Sequence, residues 1–235
     1  MWWFAAVHAN LLMLYRRAKP RGAEAARLLD AGCGTGGFLA RMAQDMPLTD
    51  TVGLDADATA CRWAAEKSGR PVCTGSVNAL PFADAAFATI VSVDVLCHRN
   101  VDEARALGQF YRCLGAGGLL ILNLPAYRWL MSRHDTAVHN VRRYTRGQIV
   151  ALLHAAGFRP ICAGYWNIIL FPLMVAARKL LPASLGSDVK PQPALVDAIF
   201  RAATTVERAL MRLGIRFPFG GSILALAAKP ENAHA

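Results

Sequence analysis

Charge is scarce and one-sided in this 235-residue chain: charged residues make up only 18%, and 26 basic side chains face 16 acidic ones. With 54% hydrophobic residues, so sparsely charged a chain folds rather than staying disordered. Six cysteines are present, at positions 33, 61, 73, 97, 113 and 162, but none forms a CxxC pair. That spacing argues against a zinc site and for free thiols serving as small apolar fillers. Long hydrophobic runs are missing too. The longest, Ile168 to Ala177, is too short to cross a bilayer and contains Pro172. No export signal is evident, because the apolar residues 1–15 precede the basic cluster instead of following it. The expected location is the cytoplasm, with peripheral contact at the inner membrane as a further option. Repeats and low-complexity linkers are absent, so one domain over residues 1–235 is the simplest account.

The net charge is +10, with clusters at Arg16, Arg17, Lys19 and Arg21 and at Arg142, Arg143 and Arg146. A basic surface favours phosphates, anionic substrates, nucleic acid or anionic lipid, and does not choose among them; simple solubility is an equal explanation.

Along the chain, strand-like and helix-like segments alternate. Residues 1–22 hold an N-terminal helix, strongest over Trp2 to Arg17. Strands are expected at Arg27 to Ala31, Val52 to Asp55, Val72 to Cys73, Phe87 to Val93 and Leu119 to Asn123. Helices are expected at Gly37 to Met46, Ala58 to Lys67 and Val101 to Leu114, with a turn at Gly115 to Gly118. Thr145 and Gln148 have capping-box spacing, so a helix should start there and stop at Gly157. Strands six and seven fall at Arg159 to Tyr165 and Ser222 to Ala228. Between them, residues 166–219 read as a helical insert. There Leu195, Ile199, Val206, Leu210 and Leu213 share one helical face. The fold class is therefore α/β: a Rossmann-like, doubly wound, seven-stranded, mostly parallel sheet with a helical insert before the last strand.

The segment from Leu28 to Gly37 carries the chemistry. Glycines 32, 34 and 36 remove Cβ atoms, so a ligand can lie against bare backbone at the start of a helix. Gly32, Gly34 and Gly37 also satisfy the G-x-G-x-x-G dinucleotide fingerprint, and Asp55 stands where a ribose-binding acid belongs in either case. The run Asp30-Ala31-Gly32-Cys33-Gly34-Thr35-Gly36 resembles motif I of class I S-adenosylmethionine-dependent methyltransferases. Ala79-Leu80-Pro81-Phe82 ahead of Phe87-Ala88-Thr89-Ile90-Val91 resembles that family's segment before strand four. Leu114-Gly115-Ala116-Gly117-Gly118-Leu119 resembles its L-x-P-G-G turn before strand five. Three motifs in family order separate this reading from the nicotinamide one. The resemblance implies S-adenosyl-L-methionine as cofactor. Gly32, Cys33, Gly34, Thr35 and Gly36 would wrap its amino-acid end and ribose, and Asp30 would help hold its ammonium. Asp55 and the adjacent Ala56 would meet the ribose, Ser76 and Val77 the adenine, and Ser92 to Asp94 would line the floor near the methyl. For Asp94 a helix N-terminal charge is the competing explanation.

Pro125 to Tyr144 is the most distinctive stretch. His134-Asp135, then His139, then Arg142-Arg143-Tyr144-Thr145, resembles a bacterial subset of the same family. So do the aromatic start Trp2-Trp3 and the closing turn Pro218-Phe219-Gly220-Gly221-Ser222. Loops beyond the carboxyl ends of the strands are where acceptors sit. His134 and His139 are candidate bases there, with Asp135 orienting one of them and His98 as a rival. Arg142 or Arg143 would bind an anionic group on the acceptor, Tyr144 would cap it, and Trp3, Tyr127 and Trp166 would offer aromatic surface. The bland alternative is that Arg143 pairs with Asp135 and Tyr144 simply packs. The expected partner is a small hydrophobic or ring-bearing acceptor, methylated on O or N, with a lipid-linked one next. A nucleic-acid enzyme is disfavoured although Asn123 to Tyr127 resembles the N-P-P-Y motif, because this copy follows the wrong strand. A protein that binds S-adenosylmethionine without turnover is the non-enzyme alternative. The apolar insert would serve as a lid, as a homodimer interface or as a membrane contact.

Overall fold

The computed structural model describes residues 1–18, 27–47, 49–179 and 193–231. The expected basic residues Lys19 and Arg21, the end of the N-terminal segment and residues 180–192 of the insert lie outside these. Eight α-helices and seven strands are described, in the order α1 Trp2–Ala18, β1 Leu28–Ala31, α2 Gly37–Asp45, β2 Thr51–Asp55, α3 Ala58–Ser68, β3 Val72–Thr74, β4 Phe87–Val93, α4 Glu103–Cys113, β5 Leu114–Pro125, α5 Arg133–Ala137, α6 Arg146–Ala155, β6 Arg159–Trp166, α7 Phe171–Lys179, α8 Ala194–Arg212 and β7 Ser222–Ala228.

The seven strands form one sheet in the order β3-β2-β1-β4-β5-β7-β6. Neighbours from β3 to β5 run parallel, and β7 lies antiparallel between β5 and β6. Side chains alternate between the two faces, as a pleated strand requires. Leu120, Leu122, Leu124, Ile223, Ala225 and Ala227 join the core beneath α4 and α6. Leu119, Ile121, Leu224 and Leu226 join the core beneath α1 and α2. With both faces covered, the central strands are mostly apolar, with Asp30, Thr89, Ser92 and Asn123 as buried polar exceptions.

Two features of the chain's local chemistry appear as the residue types dictate. Thr145 Oγ1 accepts from the Gln148 amide at 3.3 Å, and Gln148 Oε1 accepts from the Thr145 amide at 2.8 Å, closing a capping box on α6. The Gly115–Gly118 turn is present but lies within β5. Leu114 pairs with Phe87, and Leu119 pairs with Thr89, so the strand folds back as a wide bulge. Gly118 must lack a side chain there, because a Cβ would stand 2.8 Å from the Gly115 carbonyl oxygen.

The helix carrying Leu195, Ile199, Val206, Leu210 and Leu213 forms, as α8, and most of its apolar stripe faces outward. Leu195, Ile199, Val206 and Leu213 are 73%, 55%, 53% and 79% exposed. Its fully buried residues are the polar Thr204 and Glu207, beside the partly buried Phe200 against Trp2 and Met211 against the core. The reason lies in the segment α8 covers: the Asn167 and Ile169 amides donate to Glu207 Oε2 and Oε1 at 2.7 and 2.6 Å. Those irregular backbone donors need an acceptor, and a buried carboxylate supplies two oxygens.

Replacing Thr145 by Ala removes the α6 cap and is expected to lower the unfolding free energy by about 1 kcal/mol. A urea titration should show an earlier midpoint with an unchanged slope. An unmoved midpoint would mean the cap is idle.

Candidate active site

The strand order reverses direction between β1 and β4, whose following connections leave on opposite faces of the sheet. A crevice opens beyond their carboxyl ends, and this is where open α/β sheets take ligands. The glycine turn stands at this point. Gly32, Gly34 and Gly36 have φ of 85°, 51° and 74°, in the left-handed region that favours glycine. A Cβ on Gly32 would collide with Val95 Cγ2, and one on Gly36 would fall 2.6 Å from Ala64 Cα. A Cβ on Gly34 would meet nothing within 4 Å, so this glycine borders open space. Its amide donates to Asp55 Oδ2 at 2.8 Å, and the Asp57 amide donates to Asp55 Oδ1 at 3.0 Å. Each oxygen keeps a lone pair for a further donor.

Asp30 ends up almost wholly buried, and its Oδ2 has no hydrogen-bond partner. Burial first, and the nearby Asp55 second, push its carboxyl up to about 7. An orphaned buried carboxylate oxygen beside a glycine cradle suits the ammonium of a donor's amino-acid end. Asp55 suits a ribose diol. Cys33 is buried, and its thiol is raised by burial and by the two aspartates. Thr35 receives Lys67, whose Nζ donates to the Thr35 carbonyl at 2.7 Å and hydroxyl at 3.2 Å. Ala56 and Ser76 are exposed at the same edge, after β2 and β3, and Val77 is buried. Ser92 departs from expectation: its hydroxyl is buried and donates to the Ala31 carbonyl at 2.9 Å, tying β4 to β1 instead of lining a floor.

Asp94 follows β4 with φ 54°, unusual for a residue with a side chain. Its amide donates to the Asn123 carbonyl at 2.8 Å, and its Oδ1 accepts from Asn123 Nδ2 at 3.1 Å. Asn123 Oδ1 in turn accepts from Trp166 Nε1 at 2.9 Å, and Trp166 stacks on Trp3 with centroids 5.0 Å apart. An indole N–H only donates, so it fixes which end of the Asn123 amide faces Asp94. Burial raises the Asp94 carboxyl to about 7 against the opposing pull of Asn123 and Arg143. The sequence marks Asn123 only as the start of an N-P-P-Y-like segment, with no role at the donor site. Its signal was a lone amide within a run of buried aliphatic strand residues.

The His-Asp-Arg block resolves into a scaffold around Asp135. That carboxylate is fully buried. Its Oδ1 takes Arg143 Nε at 2.9 Å and Nη2 at 2.8 Å; its Oδ2 takes Arg178 Nη1 at 3.2 Å and the Ser132 amide at 2.9 Å. Asp135 is therefore corrected from an orienter of histidine to the acceptor of two arginines and a helix cap. Arg143 also donates to the Ala126 carbonyl at 3.0 Å. Arg142 donates to the Leu96 and His98 carbonyls at 3.2 and 2.9 Å and pairs with Glu103 at 3.2 Å. Tyr144 is buried, with its hydroxyl donating to the Leu96 carbonyl at 2.9 Å. With these polar atoms committed inside the protein, Arg142, Arg143 and Tyr144 are corrected to structural members, as are the stacked Trp3 and Trp166. His98 and His139 do come together, edge to face with centroids 5.8 Å apart. Burial and then His139 depress His98 below the usual imidazole range, and Asp55 acts in the opposite direction. His134 lies on α5, half-buried.

Tyr127 belongs to an aromatic cluster that the sequence did not group. It stacks on Tyr165 at 5.2 Å and meets Trp129 at 5.9 Å and Phe171 at 6.0 Å, while Phe171 meets Phe219 at 5.3 Å. The strands that carry it, β5 and β6, end at the same edge as β1 and β4. Burial, then the bond to Tyr165, raises the Tyr127 hydroxyl to about 12.

Residues 29–122 match a family described as a methyltransferase domain. Malonyl-[acyl-carrier protein] O-methyltransferase from Geobacter sulfurreducens is 29% identical over 156 residues, 60% of this chain and 58% of that protein. Matches to curated relatives span between 39% and 58% of their lengths. Geranyl diphosphate C-methyltransferase from Streptomyces coelicolor, solved with S-adenosyl-L-homocysteine, aligns with TM-score 0.61 and 13% identity over 94% of this chain and 78% of that one. The [4+2]-cyclase SpnF aligns with TM-score 0.60 and 22% identity over 94% and 82%, so the fold by itself does not fix the reaction. The fold is that of class I methyltransferases, and residues 29–122 match a methyltransferase domain.

By calorimetry, Asp55→Ala and Gly34→Ala should each weaken S-adenosylhomocysteine binding by roughly tenfold or more, through loss of a charge-assisted contact and through filling of the cradle. Unchanged affinity in both would remove the donor from this turn. Between about pH 4 and pH 7 folded Asp30 holds a proton that the unfolded chain has released, so its contribution to stability declines as pH rises, by at most about 1.4 kcal/mol per pH unit. Asp30→Asn should flatten that decline in denaturation series across the same range.

Proposed function

We propose that the whole protein transfers a methyl group from S-adenosylmethionine to an O or N atom of a small hydrophobic or ring-bearing acceptor lying between Asp94 and the aromatic cluster. The observation that carries this reading is the pairing of a desolvated carboxyl at the switch point with the Tyr127, Tyr165, Phe171 and Phe219 rings at the same sheet edge. Such rings favour flat or apolar ligands. The His134-to-Thr145 block, whose resemblance supports the bacterial subset, acts as the scaffold that holds this edge.

S-adenosylmethionine, when bound, supplies a methyl on a positively charged sulfur. Asp30, Gly34 and Asp55 hold it. Asn123 occupies Asp94 Oδ1, which leaves Oδ2 to take the proton from the acceptor's O–H or N–H as the new bond to the methyl forms. A carboxyl near 7 is matched to that task at neutral pH. His98 and His139, paired at the rim, are second in line for the proton. The stacked Trp3 and Trp166 keep Asn123 in register.

Labelled methyl donor offered to ring-bearing small molecules, lipid extract and RNA tests the reading. Label on the first group supports it, and label confined to RNA overturns it. With an acceptor in hand, kcat/KM should rise with pH and level off above about 7. Asp94→Asn should lower kcat by on the order of a hundredfold while leaving S-adenosylhomocysteine affinity within about threefold. A variant with an unchanged pH profile and rate would return the role to the histidines.

A further inference from the structure

The outward face of α8 has no use in the site described above. Along it stand Leu195, Ala198, Ile199, Ala202, Val206, Ala209 and Leu213, all exposed, with Thr205 the one polar side chain among them. No charged residue interrupts this stripe over the 19 residues of the helix. One edge of the stripe is cationic. Arg201, Arg208 and Arg212 follow it, and Arg216 comes just beyond the helix, next to the exposed Ile215. Arg41 and Arg212 lie close enough to Arg208 to depress its guanidinium, after burial, the larger cause. Arg208 Nη1 is buried with no hydrogen-bond partner. The acids nearest this edge are already engaged: Asp45 with Arg41 and Arg16, Asp197 with Arg201 and the Trp2 amide, and Glu207 with the backbone beneath α8.

We propose that α8 is an interfacial membrane helix, which lays its apolar face into the headgroup boundary of an anionic bilayer with its arginine edge against lipid phosphates.

A long helix that is apolar on one side, arginine-edged and free of exposed unpaired acid has the make-up of segments that lie in a membrane plane. It does not span: among the described residues no helix is long and apolar enough to cross a membrane. A second copy of the chain is the poorer occupant. Two-fold pairing brings like patches together, so each arginine edge would face another cationic edge of a +10 chain. Anionic headgroups neutralise the exposed guanidiniums of Arg212 and Arg216. Guanidiniums on long stems also reach the phosphates while their methylenes stay in apolar contact.

The test uses the full chain and sedimentation with vesicles of phosphatidylcholine, with and without one third phosphatidylglycerol by composition. The expected result is strong co-sedimentation with the anionic vesicles, weak binding to neutral ones and a loss on adding salt. Val206→Glu with Leu213→Glu should reduce the bound fraction by roughly tenfold or more, and Arg212→Glu with Arg216→Glu should do so for anionic vesicles alone. Both double variants should keep the wild-type melting temperature and S-adenosylhomocysteine affinity, because the replaced side chains are exposed. Three outcomes overturn the proposal. Absence of vesicle binding by the wild type is the first. A concentration-dependent dimer that Val206→Glu dissociates would give the face to a second copy. A marked fall in melting temperature for the Val206/Leu213 variant without lipid would mean that the protein covers this face itself.

Discussion

The crevice at the β1/β4 switch point is the constraint from which the rest follows. The connections that follow β1 and β4 leave on opposite faces of the sheet, so a crevice opens beyond the carboxyl ends of these two paired strands. Every unusual backbone feature of the site answers that opening. The glycine turn bends back with positive φ at three positions, and Asp94 takes a left-handed conformation to leave β4. Asn123 spans the gap from the next strand, donating to Asp94 through its side chain and accepting through its main chain. Strain of this kind persists only where surrounding structure over-determines it. Here the supports are identifiable: Val95 against Gly32, Ala64 against Gly36, and Trp166 behind Asn123.

Buried carboxyl groups divide into two kinds by what remains unsatisfied on them. Asp135 and Glu207 have their oxygens filled, one by two arginines and a helix start, the other by two backbone amides. Groups in that condition hold a loop in place and have little left to offer a ligand. Asp30 keeps an oxygen without a partner, and Asp94 has one neutral donor against substantial desolvation. Both stand at the switch point. Unspent hydrogen-bonding capacity, rather than density of polar residues, therefore separates the reactive edge from the scaffold next to it.

That distinction explains what could be read from the sequence. The seven-stranded, mostly parallel sheet and the glycine turn after its first strand were legible because glycines at fixed spacing and apolar runs are local signals. The roles of His134-Asp135 and Arg142-Arg143-Tyr144 were not, since a sequence displays which polar groups are present and not which of them consume one another. The pairing of Arg143 with Asp135 and the packing of Tyr144 were open from the sequence only as the alternative to an acceptor site, and the structure realises that alternative. The aromatic cluster required the third dimension, because its members Tyr127, Tyr165, Phe171 and Phe219 are gathered from separate elements. Asn123 was visible as a carboxamide in a largely aliphatic strand, but its bond to Asp94 was not.

Helix α8 carries the same reasoning to the surface. Its shared apolar face forms but turns outward, because the neighbouring β6–α7 connection presents bare amides. A leucine face against Asn167 and Ile169 would leave two buried N–H groups without acceptors, at a cost of about 1–3 kcal/mol each. Glu207 turned inward removes that cost, and the rotation that buries it must expose the opposite side of the helix. The exposed stripe is then not an accident of a loosely attached element. It is the consequence of a hydrogen-bond requirement beneath α8, and with arginines along its edge it leaves the protein a face whose chemistry is complementary to lipid.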